Sequence, residues 1–253
     1  MLFYKTFGEG QPLLILHGLF GSSDNWTTLA KHFAETNQVW LIDQRNHGRS
    51  FHCDEFDYWA MSDDLLELIE ENELENIILL GHSMGGKTAM TFTQQHPEYI
   101  NKLIVADIGP KQYPIHHQTI LKGLNALNFD EIKSRKESEE VLSEYISDAS
   151  TRQFLLKNLY WEIPGKKLNW RFNLHVLSRE IHNIVEGLPR QIVETKTLFI
   201  RGLKSDYILD EDIKDIKSQF INSEIKSIEN AGHWLHAEAP ETFKKIVTDF
   251  INT

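Results

Sequence analysis

Residues 81–85 read Gly81-His82-Ser83-Met84-Gly85. Four strand formers, Ile77-Ile78-Leu79-Leu80, precede them, and a helical run from Gly86 to His96 follows. Strand, sharp turn and helix are the setting a G-x-S-x-G nucleophile elbow requires. The turn holds the serine in a strained backbone, and small residues at 81 and 85 let the chain double back. The Ser83 hydroxyl then stands at a helix N-terminus. There the dipole and free N–H groups favour the negative charge that develops in acyl transfer. A Gly-x-Ser-x-Gly string in isolation is common; the strand and helix flanks set this one apart.

A serine hydroxyl is a poor nucleophile at neutral pH. It needs a base within reach, and the base needs a carboxylate to fix its tautomer. The histidine best placed for this is His233, in Ala231-Gly232-His233-Trp234 after the last strand-like run. Gly232 allows a tight turn that brings the imidazole toward the serine. The other histidines have plainer readings. His82 packs inside the elbow, and His17 and His47 bond to loops. His116, His117, His175, His182 and His236 line an inserted segment or the surface. Two acids stay open. Asp107 ends Leu103-Ile104-Val105-Ala106-Asp107, and Asp206 lies just past the next strand. The common spacing there, a glycine and then the acid three residues on, lands on Ser205 and not on Asp206. Asp107 is one strand nearer the nucleophile, which favours it. The oxyanion donors are expected from the Met84 amide and from Leu19 or Phe20 in His17-Gly18-Leu19-Phe20-Gly21.

These residues need a scaffold that brings strand ends together. Short apolar runs at 13–17, 39–43, 77–81, 103–107, 197–201 and 224–229 read as strands, with 1–7 as an edge strand. Between them Met61, Leu65, Leu68, Ile69 and Leu74 recur at helical spacing, as do Phe243, Ile246, Val247, Phe250 and Ile251. The alternation implies an α/β class with a mostly parallel sheet flanked by helices. Ligands of such sheets bind beyond the carboxyl ends of the strands. Residues 111–196 break the alternation, with helical stretches at 120–127, 138–146 and 151–159 and then an aromatic cluster. They read as a helical cap inserted after the fourth central strand, the core being 1–110 and 197–253. Trp161, Trp170 and Phe172 are the candidates to line its substrate pocket.

With 253 residues the chain suits one large domain carrying an insertion. Its net charge of −11 argues against a nucleic-acid partner. Residues 111–196 hold 13 Lys/Arg and 11 Asp/Glu, a net of +2, so the remainder carries −13. No apolar stretch is long enough to span a membrane. Met1-Leu2-Phe3-Tyr4-Lys5 lacks a signal-peptide pattern, and the single Cys53 suits a reducing cytoplasm. No metal site is read from the sequence, and composition is silent on oligomeric state.

The chain resembles the α/β-hydrolase superfamily over nearly its full length, and is most similar to the YbfF-like bacterial esterases and their mitochondrial relatives. The strings that carry the resemblance are His17-Gly18-Leu19-Phe20-Gly21-Ser22, Asp43-Gln44-Arg45-Asn46-His47-Gly48, Gly81-His82-Ser83-Met84-Gly85-Gly86-Lys87, Trp170-Arg171-Phe172-Asn173 and Gly232-His233-Trp234. The resemblance implies carboxylesterase or acyl-thioesterase activity without a cofactor, on a small-molecule ester or thioester, under a small helical cap. It also implies an acid at the end of the strand after the nucleophile helix, which matches Asp107. Asp206 in Ser205-Asp206-Tyr207 is a departure. Cofactor-free haloperoxidase or carbon–carbon bond hydrolase chemistry uses the same three residue types. A non-catalytic small-molecule binding protein of the same fold is the alternative outside enzymes.

Overall fold

The computed structural model describes residues 1–115 and 117–253; His116 lies outside the described residues. The strands are β1 (Phe3–Phe7), β2 (Gln11–Leu16), β3 (Asn37–Asp43), β4 (Ile77–His82), β5 (Ile100–Ala106), β6 (Leu159–Ile163), β7 (Lys167–Trp170), β8 (Lys196–Gly202) and β9 (Ser223–Ile228). Seven of them form one sheet in the order β1-β3-β2-β4-β5-β8-β9. Every pairing from β3 to β9 is parallel, and β1 joins the edge antiparallel. This is the mostly parallel α/β sheet expected from the alternation of runs.

Each central strand buries both faces, with successive side chains going to opposite sides. Leu13, Ile15, Ile78, Leu80, Leu198 and Ile200 share one cluster with Trp26, Phe33 and Phe243. These partners come from the chain around α1 (Thr27–Phe33) and from the terminal helix Pro240–Ile251. Leu14, Leu16, Leu79, Leu103, Val105 and Phe199 share the other cluster. That face is covered by α2 (Tyr58–Glu71) and α3 (Met84–Gln95). No helix among the described residues is long and apolar enough to cross a membrane.

The chain between β5 and β8 departs from the expectation of a purely helical insert. It contains α4 (Gln118–Asn125), α5 (Arg135–Ser143), α6 (Ala149–Leu156), α7 (Leu174–Arg179) and α8 (Ile181–Val185), but also the antiparallel β6–β7 hairpin. The hairpin turns at Pro164-Gly165, where Gly165 has φ +67° and Lys166 N–H donates to Ile163 O at 2.9 Å. Strands this short, carrying Glu162 and Lys167, leave little alternation to read. The two ends of the insert are bonded to each other: Tyr113 N–H to Val185 O and Leu188 N–H to Pro110 O, both 2.8 Å. The Tyr58 hydroxyl donates to Ile184 O at 2.7 Å, and the buried Lys87 ammonium donates to Glu186 O. Burial pushes that lysine down to about 7.

A third apolar cluster joins the insert to the carboxyl edge of the sheet. Leu19, Phe20, Phe56 and Met84 meet Leu124, Leu156 and Leu177 there. Trp170 and Phe172 belong to it, stacked on each other at 5.1 Å and 14°, with Phe172 also 5.4 Å from Phe20. They are core residues and line no cavity at Ser83, contrary to the sequence expectation. Trp161 fails it for the opposite reason: it sits on the hairpin and is 44% exposed. Truncating Trp170 or Phe172 to alanine is therefore expected to cost about 3–5 kcal/mol of unfolding free energy. Trp161→Ala should cost less than about 0.5 kcal/mol, as an exposed substitution. Urea titrations of the three variants check the contrast.

Candidate active site

β4 stops at His82 and the chain reverses at Ser83, with φ +53° and ψ −121°, before α3 begins at Met84. The reversal tolerates no extra atoms. A Cβ on Gly81 would lie 2.1 Å from Gly85 O, and one on Gly85 would lie 2.5 Å from Leu16 O. On the neighbouring strand Asp107 is also in the left-handed region, at φ +52°. Sheet bonding continues through both turns. Ser83 N–H donates to Ala106 O at 3.0 Å and Asp107 N–H donates to Ile200 O at 2.8 Å.

His233 arrives from the loop after β9. Its Nε2 lies 3.0 Å from Ser83 Oγ and its Nδ1 lies 2.8 Å from Asp107 Oδ2. The loop is held on both sides of the ring. The Glu238 carboxylate accepts Gly232 N–H at 2.8 Å and Trp234 N–H at 3.2 Å. His82 Nε2–H donates to His233 O at 2.8 Å, and the Tyr207 ring stacks on the imidazole at 3.9 Å.

Asp107 is fully buried. Gly202 N–H donates to its Oδ1 at 3.0 Å and the Ser205 hydroxyl donates to its Oδ2. Burial pushes this carboxyl up to about 7, while the Ser205 hydroxyl, the Gly202 amide and the Arg201 charge pull it back down. Asp206, the other acid weighed from the sequence, is exposed. Sequence reasoning passed over Ser205 as a functional group, although the glycine-plus-three spacing had landed on it. The structure puts at that position a hydroxyl that supports the carboxylate of the adjacent strand.

Of the expected oxyanion donors, the Phe20 amide is already engaged. It donates to His47 Nε2 at 3.2 Å, and His47 Nδ1–H donates in turn to Arg45 O at 2.9 Å. That corrects the expectation for Phe20. The Leu19 and Met84 amides meet no acceptor among the described residues, and both residues border the space at Ser83. Above Ser83 and His233 lies a cavity of about 140 Å³ walled by Leu19, Phe20, Ile120, Phe154, Leu155 and Trp234. No group of three His, Cys, Asp or Glu residues among those described could hold a metal ion.

Ser83, His233 and Asp107 thus form one hydrogen-bonded line beside the Leu19 and Met84 amides. Comparison with known proteins agrees on the scaffold. Residues 11–131 match the model of the alpha/beta hydrolase fold. A putative esterase/lipase of Haemophilus influenzae is 38% identical over 95% of this chain and 83% of its own length. The esterase YbfF of Escherichia coli is 31% identical over 96% of this chain and 94% of its own. The solved structure of a marine microorganism esterase superposes with a TM-score of 0.95 at 44% identity, covering 98% of both chains.

The Ser205 contact generates a pH prediction. Its hydroxyl stabilises the ionised form of Asp107, so removing it makes the His233–Asp107 pair hold a proton more strongly. The acidic limb of kcat/KM in Ser205→Ala should move to higher pH, by about one unit if one charge-assisted hydrogen bond is lost. A pH–rate profile on any hydrolysed ester checks this. An unmoved limb would remove Ser205 from the acid's support.

Proposed function

The chain belongs to the α/β-hydrolase family, and on that premise we propose that it is a serine hydrolase cleaving carboxylic esters or acyl thioesters through an acyl-enzyme. The observation that carries this reading is the unbroken line from Ser83 Oγ through His233 to Asp107. Ser83 Oγ attacks the acyl carbonyl while His233 Nε2 takes its proton. The carbonyl oxygen, now negative, is met by the Leu19 and Met84 amides. His233 returns the proton to the departing alcohol or thiol. Water then attacks the acyl-enzyme, again through His233, and frees the acid and Ser83. Asp107 keeps Nδ1 protonated and offsets the imidazolium charge. No step calls for a cofactor.

The insert, residues 111–196 in the sequence reading, acts in this scheme as a cap. Its residues Ile120, Phe154 and Leu155 close the cavity over Ser83. Apolar walls with few polar groups suit the carbon chain of an ester. The esterase and lipase names of the relatives support the same substrate class.

Ser83→Ala is expected to lose about four to six orders of magnitude in kcat for p-nitrophenyl ester hydrolysis. It should also lose labelling by a fluorophosphonate probe. Wild-type protein whose Ser83 resists the probe would point instead to a binding protein of the same fold. Asp107→Asn should cost about three to four orders of magnitude, because an amide leaves the imidazole in the wrong tautomer. Asp206→Asn should stay within about threefold. The reverse ranking would move the acid to Asp206. Parallel assays on acyl-CoA thioesters decide between ester and thioester.

A further inference from the structure

The cavity at Ser83 does not end in solid core. On the far side of Phe154 and Trp234 lies a second recess of about 310 Å³. Among the described residues the two spaces share only those two side chains in their walls. The Phe154 and Trp234 rings lie 4.1 Å apart, centroid to centroid, at 45°. α6 runs along both spaces. Thr151, Phe154 and Leu155 face the reactive serine, whereas Ser150, Gln153 and Lys157 border the recess. Trp234 directly follows the histidine of the triad and is held there through Glu238. Phe154 has no polar anchor and is only half-buried.

We infer that Phe154, closing against Trp234, is the partition that limits the length of the apolar chain accepted at Ser83, and that the outer recess is a latent extension of that chain's site. This rests on the serine-hydrolase reading and deepens it. The cavity of about 140 Å³ stops a chain at the two rings. Removing the Phe154 ring joins it to a space more than twice as large, floored in part by Trp234 and Ala237. The recess is rimmed by Gln153, Lys157 and Glu238. It would take a methylene chain along its floor and leave the charged rim in water. The partition sits on the insert and not on the sheet, so it can be changed without touching the serine, the histidine or the acid.

The test measures kcat/KM across two series, p-nitrophenyl esters from acetate to dodecanoate and acetate esters of alcohols of matching lengths. In Phe154→Ala the ratio of long-chain to short-chain kcat/KM should rise about tenfold or more in one series, the size expected when a pocket gains room for apolar groups. Which series responds tells whether the acyl or the alcohol chain meets the partition. Adding Gln153→Trp to Phe154→Ala refills the recess and should reverse the gain. A gain that survives the refilling overturns the inference, because general loosening of the insert would then explain it. Unchanged ratios in both series also overturn it. Should Phe154→Ala melt far below wild type, Phe154→Leu should shift the ratio in the same direction by less. A folded leucine variant with wild-type ratios counts against the partition. Fluorophosphonate labelling of Ser83 is followed in every variant. Labelling with unchanged ratios rejects the partition alone, whereas wild-type protein that neither labels nor turns over rejects the hydrolase reading and the partition with it.

Discussion

A backbone hydrogen bond from Ser83 N–H to Ala106 O, 3.0 Å long, and its counterpart from Asp107 N–H to Ile200 O set the terms for the rest of the molecule. They carry the parallel ladder one residue past the strands. Both residues at those ends have φ near +50°. Neither is a glycine, and such a backbone costs of order 1–3 kcal/mol at each position. The register of four adjacent strands repays that cost by placing Ser83, Asp107 and the root of the His233 loop side by side. Moving any one strand by a residue would turn its side chains to the opposite face and scatter the set.

The same edge concentrates imidazoles, and their charge states are kept apart. Burial lowers the proton affinity of His17, His47, His82 and His236 below the ordinary histidine range. As neutral rings they act as spacers, donors and acceptors: His82 donates to His233 O, and His47 accepts the Phe20 amide. His233 alone in this group combines a carboxylate partner with partial exposure. The cost of the arrangement falls on Asp107, which is stripped of water and leans on three neighbours for compensation.

Much of this was legible in the residues. The central strands are buried on both faces and so read as continuous apolar runs. Ser83 and His233 stand out because glycines beside them announce turns where a ladder ends. The strand bounds were less legible. β5 begins at Ile100: Ile100 and Lys102 pair with β4 across a register shift that skips Asn101, and neither Asn101 nor Lys102 looks like a strand residue. Asp107 and Asp206 could not be separated in the sequence, because chain order cannot show that Ser205 points its hydroxyl at Asp107. The aromatic residues of the insert were misjudged for a related reason. Trp170 and Phe172 were expected at the pocket, and nothing in the sequence singled out Phe154. Only packing separates two rings stacked inside the third cluster from one ring standing between two cavities.

The pairing of the insert's two ends has a consequence for how the fold can vary. Because Tyr113 is bonded to Val185 and Leu188 to Pro110, the chain leaves and re-enters the sheet edge at nearly one point. To the sheet, everything between is a closed loop. The entropy of closing a loop grows only logarithmically, by about 0.6 kcal/mol for each doubling of its length. A shorter or longer excursion on the same two footings would therefore burden the scaffold little. The insert is in this sense an exchangeable module. Its size can drift or be redesigned while the bonds that align Ser83 and Asp107 stay as they are.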